Sequence, residues 1–258
     1  ITPEISIASL NAKSLIFSSD RITQIFDTTG VSNISAAPQS FFAVTHKGYM
    51  FTLRTATNES RLQWSAFNDP TSWPINNFID IDKNKGKGTG LISYGNELVV
   101  LKSYGVFKII GEIFDPSNPT YAVYNIVSPQ SFSFNSNWAL VIHNEVLWIY
   151  SLEGLYIYAQ GTSSIKKVLN HIDPDFIKGF NNAGDPNSIT AASVRFRSIS
   201  YKGFLFFLYV NNNSGPSESA TAVGVLDQKG AFWNFLINAS GTRFIKNMTF
   251  LPGTTPRL

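Results

Sequence analysis

The sequence predicts an all-β protein, a β-propeller of about five blades built from three- to four-stranded antiparallel meanders, with residues 1-258 forming one propeller domain. Three observations lead there. Short runs rich in β-branched and aromatic residues alternate with Gly, Asn, Asp, Pro and Ser clusters. Convincing helical periodicity is almost absent. A module of apolar run, turn, apolar run, Gly turn and apolar run also recurs. In its two clearest copies, Tyr94 to Gly111 and His143 to Tyr158, equivalent positions lie 48 or 49 residues apart. A β-sandwich or barrel shares the alternation, but it does not explain both turns recurring at one interval.

The elements follow in order. The first module reads Glu4 to Leu10, Lys13 to Ser18 and Arg21 to Asp27, closed by Thr28-Thr29-Gly30. The second reads Phe41 to Thr45, a turn at His46-Lys47-Gly48, then Tyr49 to Arg54 and Arg61 to Ala66. The third and fourth are the two clear copies, preceded by inner strands Gly90 to Ser93 and Trp138 to Ile142. The fifth runs from Ser193 to Ser200, turns at Tyr201-Lys202-Gly203, and continues through Phe204 to Val210, Ala222 to Leu226 and Ala231 to Phe235. A last candidate, Phe244 to Leu251, has no module of its own and is expected to complete a blade begun by the N-terminal segment. A lone meander leaves a sheet face wet, so the modules must stack face to face.

Composition narrows the function. A net charge of +3 is small for 258 residues and gives little reason to expect a dedicated nucleic-acid binder. Charged residues make up only 14%, against about 25% in ordinary domains, with Asn, Ser, Thr, 21 Phe, 10 Tyr and 5 Trp in their place. Such a surface suits a subunit covered by neighbours. The absence of Cys excludes disulfides, thiolate nucleophiles and Cys-based metal sites. The Asn-X-Ser/Thr triplets at Asn33, Asn58, Asn212, Asn238 and Asn247 are of the kind that arise by chance in such a sequence. No membrane span is expected, because apolar runs such as Phe204 to Val210 fall far short of about 18 residues. The chain opens at Ile1 rather than Met, as a piece of a longer protein would.

No catalytic, cofactor or metal site is assigned. His46 and His143 occupy equivalent module positions and read as turn residues, and neither Lys47 nor Asn144 helps to build a metal site; His171 is the third histidine. Asp80 and Asp82 alternate with Ile79 and Ile81 and read as solvated residues on an edge strand. Asp173 and Asp175 flank Pro174 in a turn, and Glu153 stands alone. The sole basic run includes Lys83, Lys85 and Lys87. It has neither Walker spacing nor a following helix, and reads as a flexible inter-blade loop with a backbone contact to DNA or a partner as its outside use. Ser and Thr abound, but no Gly-x-Ser-x-Gly elbow occurs. Trp73, Trp138, Trp148 and Trp233 leave a carbohydrate-binding propeller as an alternative if two of them line one pocket. A glycoside hydrolase, less favoured, needs a carboxylate pair about 5 to 10 Å apart.

The stretch Arg61 to Trp73, with Gln63-Trp64-Ser65 and Asn68-Asp69-Pro70-Thr71-Ser72-Trp73, followed by Gly90 to Gly111, resembles the propeller segment of tail nozzle or hub proteins of short-tailed bacteriophages and related packaged-DNA stabilisation proteins. Leu152 to Gly161 is similar to the family's next recurring element. The resemblance covers about residues 40 to 165. It implies a non-enzymatic virion component of the phage tail, without cofactors. It further implies a homo-hexameric ring around the DNA exit channel that passes DNA transiently. The partners would be other tail proteins: adaptor, tail fibre or spike, and a portal-proximal ring. The family's tube-forming domain is not evident in this sequence.

Overall fold

A computed structural model describes residues 5–112, 114, 120–126, 140–151, 154–168, 197–209, 222–227 and 231–236. The chain divides into two compact units, Ile1–Gln130 and Ser131–Leu258.

The first unit holds three four-stranded antiparallel meanders. Sheet one is β1 (Ile5–Leu10), β2 (Lys13–Ser18), β3 (Gln24–Asp27) and β4 (Gly30–Asn33). Sheet two is β5 (Ser40–His46), β6 (Tyr49–Thr55), β7 (Arg61–Trp64) and β8 (Phe78–Asp80). Sheet three is β9 (Gly88–Tyr94), β10 (Glu97–Lys102), β11 (Gly105–Ile110) and β12 (Ala122–Ile126). The second unit holds two more. Sheet four is β13 (Leu140–His143), β14 (Val146–Ser151), β15 (Gly154–Tyr158) and β16 (Lys166–Val168). Sheet five is β17 (Arg197–Tyr201), β18 (Phe204–Tyr209), β19 (Ala222–Leu226) and β20 (Phe232–Leu236). Each sheet has its strands in chain order, the arrangement of a propeller blade.

The fourth strands β4, β8, β12 and β16 escape the sequence reading. They are short outer strands with little buried apolar surface; all four residues of Gly30–Asn33 are exposed. The Phe244 to Leu251 candidate lies outside the described residues, and sheet one already has four strands without it.

All five inner hairpins enclose two residues, as the pairs Leu10↔Lys13, His46↔Tyr49, Tyr94↔Glu97, His143↔Val146 and Tyr201↔Phe204 show. Such turns suit the twist of the strands only with left-handed backbone at their centre. Asn11 and Ala12, Lys47 and Gly48, Gly95, Asn144 and Glu145, and Lys202 and Gly203 all have positive φ. The structure therefore moves His46 and His143 out of the turns: each is the last residue of its inner strand.

Within the first unit β1 lies against β5, and β5 against β9; within the second, β13 lies against β17. First strands thus meet first strands. Alternation on sheet two sends Ala43 and Met50 toward sheet one, where they join Ala8, Leu15, Phe17 and Ile25. The opposite face sends Phe42, Phe51, Leu53, Leu62 and Trp64 into a larger core with Leu98, Val100, Phe107, Ile109 and Phe114 of sheet three and its following segment. Being covered on both faces explains why β6 is buried from Tyr49 through Leu53. Each fully buried large side chain contributes about 1.5–3 kcal/mol.

Candidate functional site

The groups that carry chemistry collect where one sheet meets the next. Each inner strand has an unpaired edge whose backbone must find partners. Between sheets one and two, Ser6 Oγ accepts from Ala43 N at 2.9 Å and donates to Ala43 O at 3.3 Å, while Thr45 Oγ1 donates to Ser9 O at 2.7 Å.

The next seam uses an imidazole. His46 Nδ1 bonds to Ser93 Oγ at 2.8 Å, joining the last residue of β5 to the penultimate residue of β9. The second unit repeats this: His143 Nδ1 bonds to Ser200 Oγ at 2.9 Å, again from the last residue of one inner strand to the penultimate residue of the next. Asn144 Nδ2 donates to His143 Nε2 at 3.2 Å, so Nδ1 is the protonated nitrogen and Ser200 the acceptor. His46 is 3% exposed and its Nε2 has no hydrogen-bond partner beside the Phe51 and Phe114 rings. An imidazolium would hold a second proton there without an acceptor. Burial first, and then the Lys47 charge, pushes His46 down to about 4, with Glu112 opposing. Burial also lowers His143.

A His–Ser pair invites a hydrolytic reading. Here no carboxylate hydrogen-bonds either imidazole, and the pair recurs at equal strand positions in two blades, as expected of a repeat-based tie. Beside His46, Lys47 reaches Gly111 O at 3.0 Å and Glu112 at 2.6 Å, a further bridge from sheet two to the end of β11.

The connection from β8 to β9 carries Lys83, Lys85 and Lys87. The expected loop is inter-blade, but it is firmly tied. Residues Lys83–Lys85 form one 3-10 turn whose Asn84 N donates to Asp82 Oδ1 at 3.1 Å. Lys85 N donates to Asp82 O, Tyr104 N to Lys85 O, Ser103 N to Lys87 O and Gly88 N to Glu59 O. Lys83 is exposed and pairs with Asp80 at 3.2 Å, whereas Lys85 and Lys87 are half-buried, so the three ammonium groups do not share one open surface. Burial lowers Lys87 first, the Arg54 charge adds to this, and Glu59 opposes.

Asp80 departs from the solvated residue that the sequence suggests. It is half-buried and takes a two-pronged contact from Arg61, Nε at 2.9 Å and Nη2 at 3.2 Å, with Asn58 Nδ2 also donating. The Arg61 hydrogen bond pulls its carboxyl down to about 2, with Lys83 assisting. Asp82, exposed, caps the 3-10 turn.

Sequence reasoning missed Lys102. It is fully buried at the end of β10, and its ammonium donates to Ser60 Oγ at 2.8 Å, Asp82 O at 2.8 Å and Ile81 O. All three protons are thereby matched to oxygen acceptors on sheet two and its outgoing connection. Desolvation lowers Lys102 to about 8, with Asp82, Asp80 and Glu59 opposing. The signal was a lone cation closing the apolar run Leu98 to Leu101.

The aromatic candidates are structural where they are described. Trp73 is half-buried, meets Phe17 edge-on at 6.0 Å and donates from Nε1 to Pro70 O at 2.9 Å. Asp69 accepts from Thr71 N and Thr71 Oγ1, which fixes the expected rigid corner. Trp148 is half-buried beside His143. Trp138, Glu153, His171, Asp173, Asp175 and the Trp233 side chain lie outside the described residues. Among the described residues, no group of three or more His, Asp and Glu could hold a metal, and no helix is long and apolar enough to cross a membrane.

No family model matches this chain, and no curated protein matches it. Among solved structures, a streptogramin B lyase is similar over 92% of this chain and 70% of its own, with a TM-score of 0.55 at 10% identity. The computationally designed Ika8 protein is similar over 90% of this chain and 61% of its own, with a TM-score of 0.50 at 7% identity. At these identities the likeness concerns architecture alone, and with the five meanders it makes the chain an all-β protein of the β-propeller class.

Proposed function

We propose that the chain is a non-catalytic structural protein of a phage tail, a nozzle or hub component of the virion. Its rigid blades dock neighbouring tail subunits around the DNA exit channel, with six copies in the ring. The observation that carries this reading is where the reactive groups go. His46, His143, Lys47 and Lys102 each reach from one sheet to partners on the next sheet or its connection. They stiffen blade contacts and leave no nucleophile paired with an oriented base. The resemblance of Arg61 to Trp73 and Gly90 to Gly111 to the tail propeller segment supplies the biological setting. In such a subunit the mechanism is geometric: fixed blades present loops whose shape and polarity select the neighbouring tail proteins.

The test is imaging of native particles from the source of this sequence, with mass spectrometry to locate the chain. The expected result is a symmetric collar at the tail that contains it. Its absence from tail-bearing particles would overturn the proposal.

A further inference from the structure

One sheet face is out of keeping with the rest. On sheet one, Ala8, Leu15, Phe17 and Ile25 are buried toward sheet two. Alternation puts Ile5, Ile7, Ile16, Phe26 and Val31 on the other face, and the pairs Ile7↔Ile16 and Phe26↔Val31 set them side by side. Ile5 is 64% exposed, Ile7 62%, Phe26 54% and Val31 59%. The remaining strand positions on this face are Ser, Gln and Asn, so it carries no charge of either sign. Solvated sheet faces and edges ordinarily carry charge to discourage association.

We infer that this face docks a second copy of the chain, which presents the outward face of its last sheet. The inference rests on the proposed role as a ring subunit. Three observations select this occupant. First, the contacts already made, sheet one on two, two on three and four on five, are all front-to-back, so the same packing continues naturally into another copy. Second, sheet five has a matching surface. Ser200 faces sheet four through His143, which turns Ile199, Tyr201, Phe204 and Phe206 to the opposite side, with Phe204 39% exposed. Third, an uncharged face repels no uncharged apolar partner, whereas a charged one would lose its hydration there.

The size of the face sets the strength. Four strands about 4.8 Å apart and five residues at about 3.4 Å each give a footprint of roughly 300 Å² per copy. The total accessible surface buried is on the order of 1,000 Å², at the low end for specific contacts. One contact is therefore weak, with a micromolar dissociation constant, and closure of a ring adds the rest by avidity. Because the contact is heterologous, it builds rings or filaments rather than stopping at a dimer.

The experiment is sedimentation velocity on the purified chain from about 1 to 200 µM, with Ile7→Lys and Phe204→Lys as variants. Wild type should grow in mean mass with concentration, each variant alone should remain monomeric, and an equimolar mixture of the two should stop at a one-to-one dimer. Circular dichroism and the melting midpoint establish that the variants fold; Val31→Thr and Phe26→Gln replace any that do not and should weaken association at least fivefold. Wild type that stays monomeric throughout, variants that associate as wild type does, or a mixture that fails to dimerise would overturn the inference. A chain that covers its own face gives the first of these results. A tail collar seen on particles despite a monomeric chain would sink the docking face alone; association without a collar would sink the tail assignment alone.

Discussion

Acidifying the protein through the histidine range should weaken it by an amount set by one side chain. His46 titrates near 4 when folded and at about 6.5 when unfolded. Between these values the unfolded chain holds more protons than the native one, so stability falls as pH drops from about 6.5 toward 4 and is fully present above that window. Those two values give a loss of about 2 kcal/mol on going from pH 7.5 to pH 5. For a chain of this length that is a fall in melting midpoint of roughly 4–8 °C. His143 adds to the fall in the same direction. The carboxylates held low, Asp27, Asp69 and Asp80, lose their contributions only below about pH 4 and stay silent across this interval. The assay is calorimetry of wild type and His46→Gln at pH 7.5, 6.5, 5.5 and 5. The variant should be less stable at pH 7.5 but should lack about 2 kcal/mol of the wild-type pH dependence. Parallel pH profiles, or an NMR titration placing His46 near 6.5, would refute the argument from burial and the single hydrogen bond.

Two further substitutions examine other joints of the fold. Lys102→Met leaves Ser60 and the Ile81 carbonyl without their donor while sparing the desolvation of an ammonium, for a net loss of about 1–3 kcal/mol at pH 7. Wild-type Lys102 has its pKa lowered by folding, so wild type gains stability as pH rises from about 8 toward 10.5. Chemical denaturation should show the deficit of Lys102→Met widening by about 1 kcal/mol between pH 7 and 9. Gly48→Ala forces a left-handed alanine at φ 76 and sets its Cβ 2.6 Å from the Phe67 ring, costing about 1–2 kcal/mol. Adding Phe67→Ala should recover the steric part, so the double variant is more stable than additivity predicts; strict additivity would argue against the contact.

What the sequence discloses depends on whether a residue's partners are local. Runs such as Leu98 to Leu101 and Phe204 to Phe207, with two-residue turns beside them, carry the inner strands in their own composition, and the 48- or 49-residue spacing carries the repeat. The outer strands do not. Gly30–Asn33 and Lys166–Val168 hold their place by pairing, not by burial, and leave no apolar signature. The same division applies to the site. The Asp69 and Trp73 corner is legible because its hydrogen bonds span two or three residues. Ser93 lies 47 residues from His46, and Ser60 lies 42 from Lys102, so neither bond has a local signal. Asp80 reads as solvated because Arg61, 19 residues earlier, reaches it only after β7 and β8 pair.

The two-residue inner turns leave the modules no slack. Adding or removing one residue at any of them would reverse the facing of every side chain that follows, placing a histidine meant for a seam in the wrong layer. Length can drift only in the segments between sheets, and it does: the bonded histidine and serine are 47 residues apart in the first unit and 57 in the second. A reporter or binding loop grafted onto this scaffold therefore belongs in an inter-sheet segment, while the inner rim tolerates exchange of residues but no change in their number.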